Sequence, residues 1–230
     1  MPFTGKKLNT KKKMDQQKIQ RIINSGVDFN IGVILSKAWE MFKSRAMFHI
    51  GFMVLIGAIQ AAFTLYLPDY TFLYTIFLAP PLVCGYYFMA NRQTQEEYIE
   101  FQNYFDGFKY WWNLISTNLI SSILIVGGII LLIIPGVYLL VGYMFALLFV
   151  IFGGFDFWTS MELSRRMVHT NWLKFFLFGL ALIALNIAGF LCLIVGLFIT
   201  IPMTYLAVYI LFEELTIDAV EDPKDNVIHL

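Results

Sequence analysis

Three long apolar stretches decide what this chain can fold into. The first runs from Ala46 to Ala90 and is broken only near its middle, at Leu67, Pro68, Asp69 and Tyr70. The second runs from Leu114 to Phe155 and the third from about Leu173 to Phe212; neither contains Asp, Glu or Arg, and Lys174 stands at an edge. Crossing the hydrocarbon core of a bilayer takes about 20 apolar residues. A straight helix over any one of these stretches would measure about 60 Å, twice one crossing. Each stretch must therefore double back as a hairpin. The predicted fold is all-α, a polytopic transmembrane bundle of about six spans (46–66, 70–91, 113–133, 135–154, 173–194 and 196–214) between a tail at 1–27 and a tail at 216–230.

Charge supports this reading. Only 14% of the 230 residues are charged, against about 25% in a soluble domain, so much of the surface must face something other than water. The basic residues also fall on one side. All 16 Lys and Arg lie in the leading segment, in the connections between hairpins, or at the C-terminus, and none lies in the turns opposite. By the positive-inside rule both termini are expected in the cytoplasm, with Asp69 alone charged on the far side. The head is basic (Lys6, Lys7, Lys11, Lys12, Lys13, Lys18, Arg21) and the end acidic (Glu213, Glu214, Asp218, Glu221, Asp222, Asp225). The first apolar stretch follows a polar leader too long and too charged for a signal peptide, so it is expected to remain as an uncleaved anchor. Cys84 and Cys192 sit in apolar runs and are expected to stay unpaired.

Each hairpin is preceded by an amphipathic, aromatic-rich stretch: Phe29 to Ser44, Tyr98 to Trp112 and Phe155 to Trp172. In the first, Ile31, Ile34, Leu35, Ala38, Trp39 and Phe42 repeat with a helical period opposite Lys37, Glu40 and Lys43, the pattern of an interfacial helix. Thr159 and Ser160 offer capping chemistry for the third. All five tryptophans (39, 111, 112, 158 and 172) fall in these stretches, as expected for rings that favour the headgroup layer. Three helices lying flat on the inner leaflet are expected. A Pro followed by tyrosines recurs in each hairpin (Pro80, Pro135 and Pro202), so the unit reads as a threefold repeat. Two readings of the later turns stay open: Gly127 and Gly128, with residues near Gly196, open the turns and the prolines kink the returning helices, or Pro135 and Pro202 begin those helices.

The segment Gly127 to Phe178, an apolar hairpin with Pro135-Gly136 followed by the helix around Glu162, Leu163, Ser164, Arg165 and Arg166, resembles a broad group of bacterial integral membrane proteins of unknown function. Its relatives include the membrane domain attached to some glycerophosphodiester phosphodiesterases. Gly196 to Leu215 is similar to that family's closing span. The resemblance implies a six-helix fold in a bacterial inner membrane. It carries no phosphodiesterase activity over, because no hydrolase domain is expected in these 230 residues.

Candidates for chemistry are few. No HExxH, paired cysteines or Walker-type loop is present, and no cofactor or metal is expected. Arg165, Arg166, His169 and Lys174 could contact lipid headgroups, or could serve only as topology signals. Asn118, Ser121 and Asn186 could join helices, or line a polar cavity. His49 near the inner end of the first span reads as an interfacial residue. Glu96, Glu97 and Glu100 read as a solvated face. The Lys11, Lys12, Lys13 run would attract anionic lipid, the acidic tail, or another anionic partner; no specific nucleic acid is expected. The leading expectation is a non-enzymatic scaffold or accessory subunit that organises lipid or a membrane-protein partner. The alternatives are a small-solute or lipid transporter, and a lipid enzyme for which no base or nucleophile stands out.

Overall fold

The computed structural model describes residues 14–192 and 195–219; Lys6, Lys7 and Lys11 to Lys13, and Glu221, Asp222 and Asp225, lie outside the described residues. Those described form nine helices and no strand, and six of the helices are long and apolar enough to cross a membrane. In chain order they are α1 (Gln16–Ser25), α2 (Ile31–Ser44), α3 (Ala46–Tyr66), α4 (Pro68–Thr94), α5 (Phe101–Leu131), α6 (Ile133–Gly153), α7 (Phe157–His169), α8 (Trp172–Leu191) and α9 (Leu197–Ala219). The pairs α3–α4, α5–α6 and α8–α9 are the three hairpins.

Local chemistry explains where the short helices begin. Asp15 accepts from Gln17 N (2.7 Å) and Asn30 from Val33 N (3.1 Å), each satisfying a donor that a helix start leaves open. Asp156 caps α7 by accepting from Trp158 N and Thr159 N (3.0 and 3.2 Å), with the Thr159 hydroxyl donating to its other oxygen. The cap is thus Asp156, with Thr159 bonded to it, because a carboxylate one residue before the helix reaches two open N–H groups. The second hairpin turns through the single non-helical residue Leu132, with Pro135 in the first turn of α6, whereas Pro202 lies inside α9.

Burial is concentrated at one end of the bundle, here called the base. In α3 only His49 and Phe52 are buried; in α4 the buried run is Pro80–Asn91, in α8 it begins at Phe175, and in α9 it reaches Thr216. The far halves expose Leu65, Tyr66, Leu191 and Val195. α9 is the central element: α2 lays Ile34, Ala38 and Phe42 towards the core that α9 fills with Leu206, Ala207, Tyr209, Ile210, Leu211 and Phe212. Both described chain ends meet at the base, where Asp15 N donates to Ala219 O at 3.0 Å.

The second amphipathic stretch is not a flat α-helix. Phe101–Tyr110 is a ten-residue 3-10 helix laid lengthwise against α4. Such helices repeat every three residues, and the sequence has that period. Tyr104 and Gly107 point inward with Tyr110 half-buried behind them, Phe105 and Phe108 point outward, and Asn103, Asp106 and Lys109 form a polar edge. The inward face touches backbone to backbone. A Cβ on Gly85 would lie 2.2 Å from Tyr104 O, and one on Gly107 would lie 2.1 Å from Pro81 O. Ion pairs lock the polar edge, with Asp106 between Arg92 (3.1 Å) and Lys109 (2.6 Å) and Arg92 also on Glu97 (3.2 Å). This geometry separates three chemically distinct faces that an α-helical period of 3.6 would smear together.

Candidate functional site

The base holds two groups of buried polar side chains. The first centres on His49, in the opening turn of α3, with no exposure at all. Its Nδ1 lies 2.8 Å from the Tyr104 hydroxyl and its Nε2 lies 2.9 Å from Gln93 Nε2. Both ring nitrogens are therefore partnered, one by the Tyr104 hydroxyl and the other by the Gln93 side-chain amide. Phe42 and Tyr86 both stack on the ring, at 5.7 and 6.2 Å between ring centroids, and the Tyr86 hydroxyl donates to His49 O at 3.4 Å. His49 thereby ties the 3-10 segment to α3 and α4 from inside the protein. Its sequence position near the inner end of a span suggested an interfacial role. What buries it is the Tyr104 face of a segment distant in sequence.

The second group joins α4 to α9. Tyr209 Oη accepts from Asn91 Nδ2 (3.0 Å) and donates to Glu213 Oε1 (3.1 Å), while Thr94 Oγ1 stands 3.3 Å from Glu213 Oε2 and Gln95 Nε2 donates to Asn91 Oδ1 (2.9 Å). Glu213 is only 7% exposed. Read from sequence it belonged to the acidic end of the chain. The signal that could have marked it is Tyr209 four residues earlier, which shares its helix face.

The third cluster is the predicted headgroup site. Glu162 accepts from Arg165 Nε and Nη2 (both 2.9 Å) and from Arg166 Nε (2.6 Å). Hydrogen bonds from Arg165, followed by those from Arg166, hold the Glu162 carboxyl below the usual carboxylate range, and Glu162 and the Tyr138 hydroxyl raise the Arg165 guanidinium above its own. The same Tyr138 hydroxyl lies 3.1 Å from His169 Nδ1, and its ring stacks on Trp172. The structure therefore brings Arg165, Arg166 and His169 into one network around Glu162 and Tyr138. Lys174 goes elsewhere: it pairs with Asp28 and sits 5.5 Å from the Phe29 ring. That ammonium group holds the Asp28 carboxyl below its ordinary value, by hydrogen bonding first and then by charge. Arg166, half exposed, is the cation of the network turned most towards the surroundings.

The predicted polar residues of the spans are not gathered. Asn186 Nδ2 donates to Thr204 Oγ1 (2.8 Å) and Leu182 O (2.9 Å), which joins α8 to α9. Asn118 and Ser121 are on α5, where the Ser121 hydroxyl donates to Asn118 O at 3.1 Å within the same helix. α5 packs on α4, α6 and α7.

Six apolar helices of crossing length on a polar, pinned base define the class: a multi-pass helical membrane protein. No protein-family model, curated protein or solved structure matches the chain significantly.

Proposed function

We propose that this is a non-enzymatic protein of a bacterial inner membrane, with both termini in the cytoplasm, acting as a scaffold or accessory subunit that organises lipid or a membrane-protein partner. The observation that carries the reading is the placement of exposed rings on the same elements as cations around the base. Trp39 is exposed beneath the Lys43 ammonium at 5.7 Å, the exposed Phe105 and Phe108 share the 3-10 segment with Lys109, and the exposed Trp158 shares its helix with Arg166. Rings with an apolar body and cations beside them suit the headgroup layer, where both parts are solvated in their preferred way. The one-sided placement of Lys and Arg supports the cytoplasmic assignment, and the resemblance to bacterial six-helix membrane proteins supports the compartment.

Purification in mild detergent, with lipid and protein identification, tests the proposal. Anionic phospholipid or a defined partner is expected to remain bound at stoichiometric levels. A monomer carrying neither refutes it.

A further inference from the structure

The second hairpin is built and placed differently from the other two. Its tip is a continuous apolar surface, Ile129 to Ile134, with Ile130, Leu131 and Ile134 at 79%, 80% and 82% exposure and no polar side chain among them. The turn is tight because Gly128 meets Gly136: a Cβ on Gly128 would lie 3.0 Å from Gly136 Cα. The strictly apolar part of each arm is short. On α5 it runs from Ile123, just after Ser121 and Ser122, to Leu131; on α6 it runs from Ile133 to Val137, where Tyr138 meets the charged network, and Gly142 lies against Arg165. At the rise of an α-helix these arms are about 8–14 Å long, half of a hydrocarbon core of about 30 Å or less.

The contacts of α6 fix where that tip lies relative to the third hairpin. Tyr138 is five residues from the first residue of α6, yet its ring stacks on Trp172, the first residue of α8. α8 then continues for 20 residues, about 30 Å, to its own tip. Further along, Phe145, Phe149 and Phe152 meet the ring of Phe212, at 5.7, 5.0 and 6.4 Å, and Phe152 also meets Tyr209 at 5.6 Å, so two turns of α6 span only one turn of α9 and the helices cross instead of running side by side. The second tip therefore stays near the base end of the third hairpin. Glu162, Arg165, Arg166 and His169 flank the same stretch of α6, between Tyr138 and Gly142, with Arg166 and His169 exposed.

If the second tip reached the far headgroups, the exposed Arg166 and its partner Glu162 would stand about 9–15 Å below that surface, within hydrocarbon, where charged side chains are rare and costly. If instead the charges sit at the headgroups on the side of the base, the tip ends about one leaflet deep and every exposed Ile and Leu meets acyl chains. We propose that the second hairpin does not cross the membrane but beds its tip in the leaflet on the side of the chain termini, as a wedge whose partner is lipid hydrocarbon. The first and third hairpins cross, so the chain passes the membrane four times and wedges once.

Single-cysteine labelling of the full chain in sealed vesicles tests this, with Cys84→Ala throughout. Cys192 in the third turn, and Asp69→Cys or Leu132→Cys in a Cys192→Ser background, are probed with a membrane-impermeant maleimide from each side. Cys192 and position 69 should react from the side opposite the termini, and position 132 from neither. A spin label at position 132, and at Ile130→Cys as a second site should 132 fold poorly, should be relaxed more by lipid-soluble oxygen than by a water-soluble nickel chelate. Its depth should fall inside the terminus-side leaflet. Labelling of position 132 from the far side overturns the proposal in favour of a full crossing. Labelling from the terminus side overturns it in favour of a water-exposed or protein-covered tip, and so does labelling of position 69 from the terminus side. None of these results depends on whether lipid or a partner co-purifies.

Discussion

The backbone contact between the 3-10 segment and α4 gives the sharpest mutational test. In Gly107→Ala the new methyl carbon would start 2.1 Å from Pro81 O, with Pro81 C at 2.9 Å. Neither neighbour is a flexible side chain, so the segment must move away by about 1.5 Å to reach ordinary van der Waals contact. Tyr104, one turn earlier on the same face, would carry its hydroxyl away from His49 Nδ1, now at 2.8 Å. Overpacking costs about 1–3 kcal/mol, and losing a buried hydrogen bond adds about 0.5–1.5 kcal/mol. The sum, about 1.5–4.5 kcal/mol, corresponds to a fall of about 3–18 °C in midpoint for a chain of this length. The assay is thermal unfolding in mild detergent, followed by tryptophan fluorescence, with Gly57→Ala as the control. Nothing lies within 4 Å of a Cβ on Gly57, and Ala exceeds Gly in helix propensity by about 1 kcal/mol, so the control should be neutral or slightly stabilised. Equal midpoints for Gly107→Ala and Gly57→Ala would refute the close packing on which the site geometry rests.

Other expectations follow from the same contacts. Tyr104→Phe removes only the hydroxyl that His49 bonds, and should destabilise by about 1–3 kcal/mol through a buried, unpaired imidazole nitrogen; an unchanged midpoint in the same assay counts against that bond. Glu162 has its carboxyl pKa lowered in the fold, so its stabilising effect is complete above the unfolded carboxylate range and fades as pH falls through the lower folded value. The midpoints of the wild type and Glu162→Gln should therefore differ near neutrality and converge in acid, and a constant difference across pH would remove the ion-pair account. Thr204→Val deletes the oxygen that Asn186 meets across α8 and α9, and about 0.6 kcal/mol is expected, the usual scale for such bonds between membrane helices. A loss of several kcal/mol would mean that the pair supports more than local packing.

Several features were legible in the sequence because they follow from solvent alone. Hydrocarbon cannot satisfy backbone polar groups, so apolar stretches of this length must become helices, and a stretch twice the bilayer thickness must fold back. The first span begins at Ala46 and the polar residues Pro68 to Tyr70 form the first turn for that reason. The one-sided cations were equally visible, since they are a property of position along the chain. Pairings between distant segments were not. Whether Arg165 faces lipid or Glu162 depends on side chains on its own helix face, but that it meets Tyr138 depends on how α7 returns along α6.

The sequence by itself determined an all-helical membrane protein with three hairpins, because run length and charge count measure the fit to a bilayer without reference to any other part of the chain. Only the tertiary structure decided that His49 and Glu213 are interior, that Phe101–Tyr110 is a three-sided strut on α4, and that the second tip stays near the base end of the third hairpin. Each of these depends on contacts between residues far apart in sequence, where local hydropathy carries no information about which faces meet.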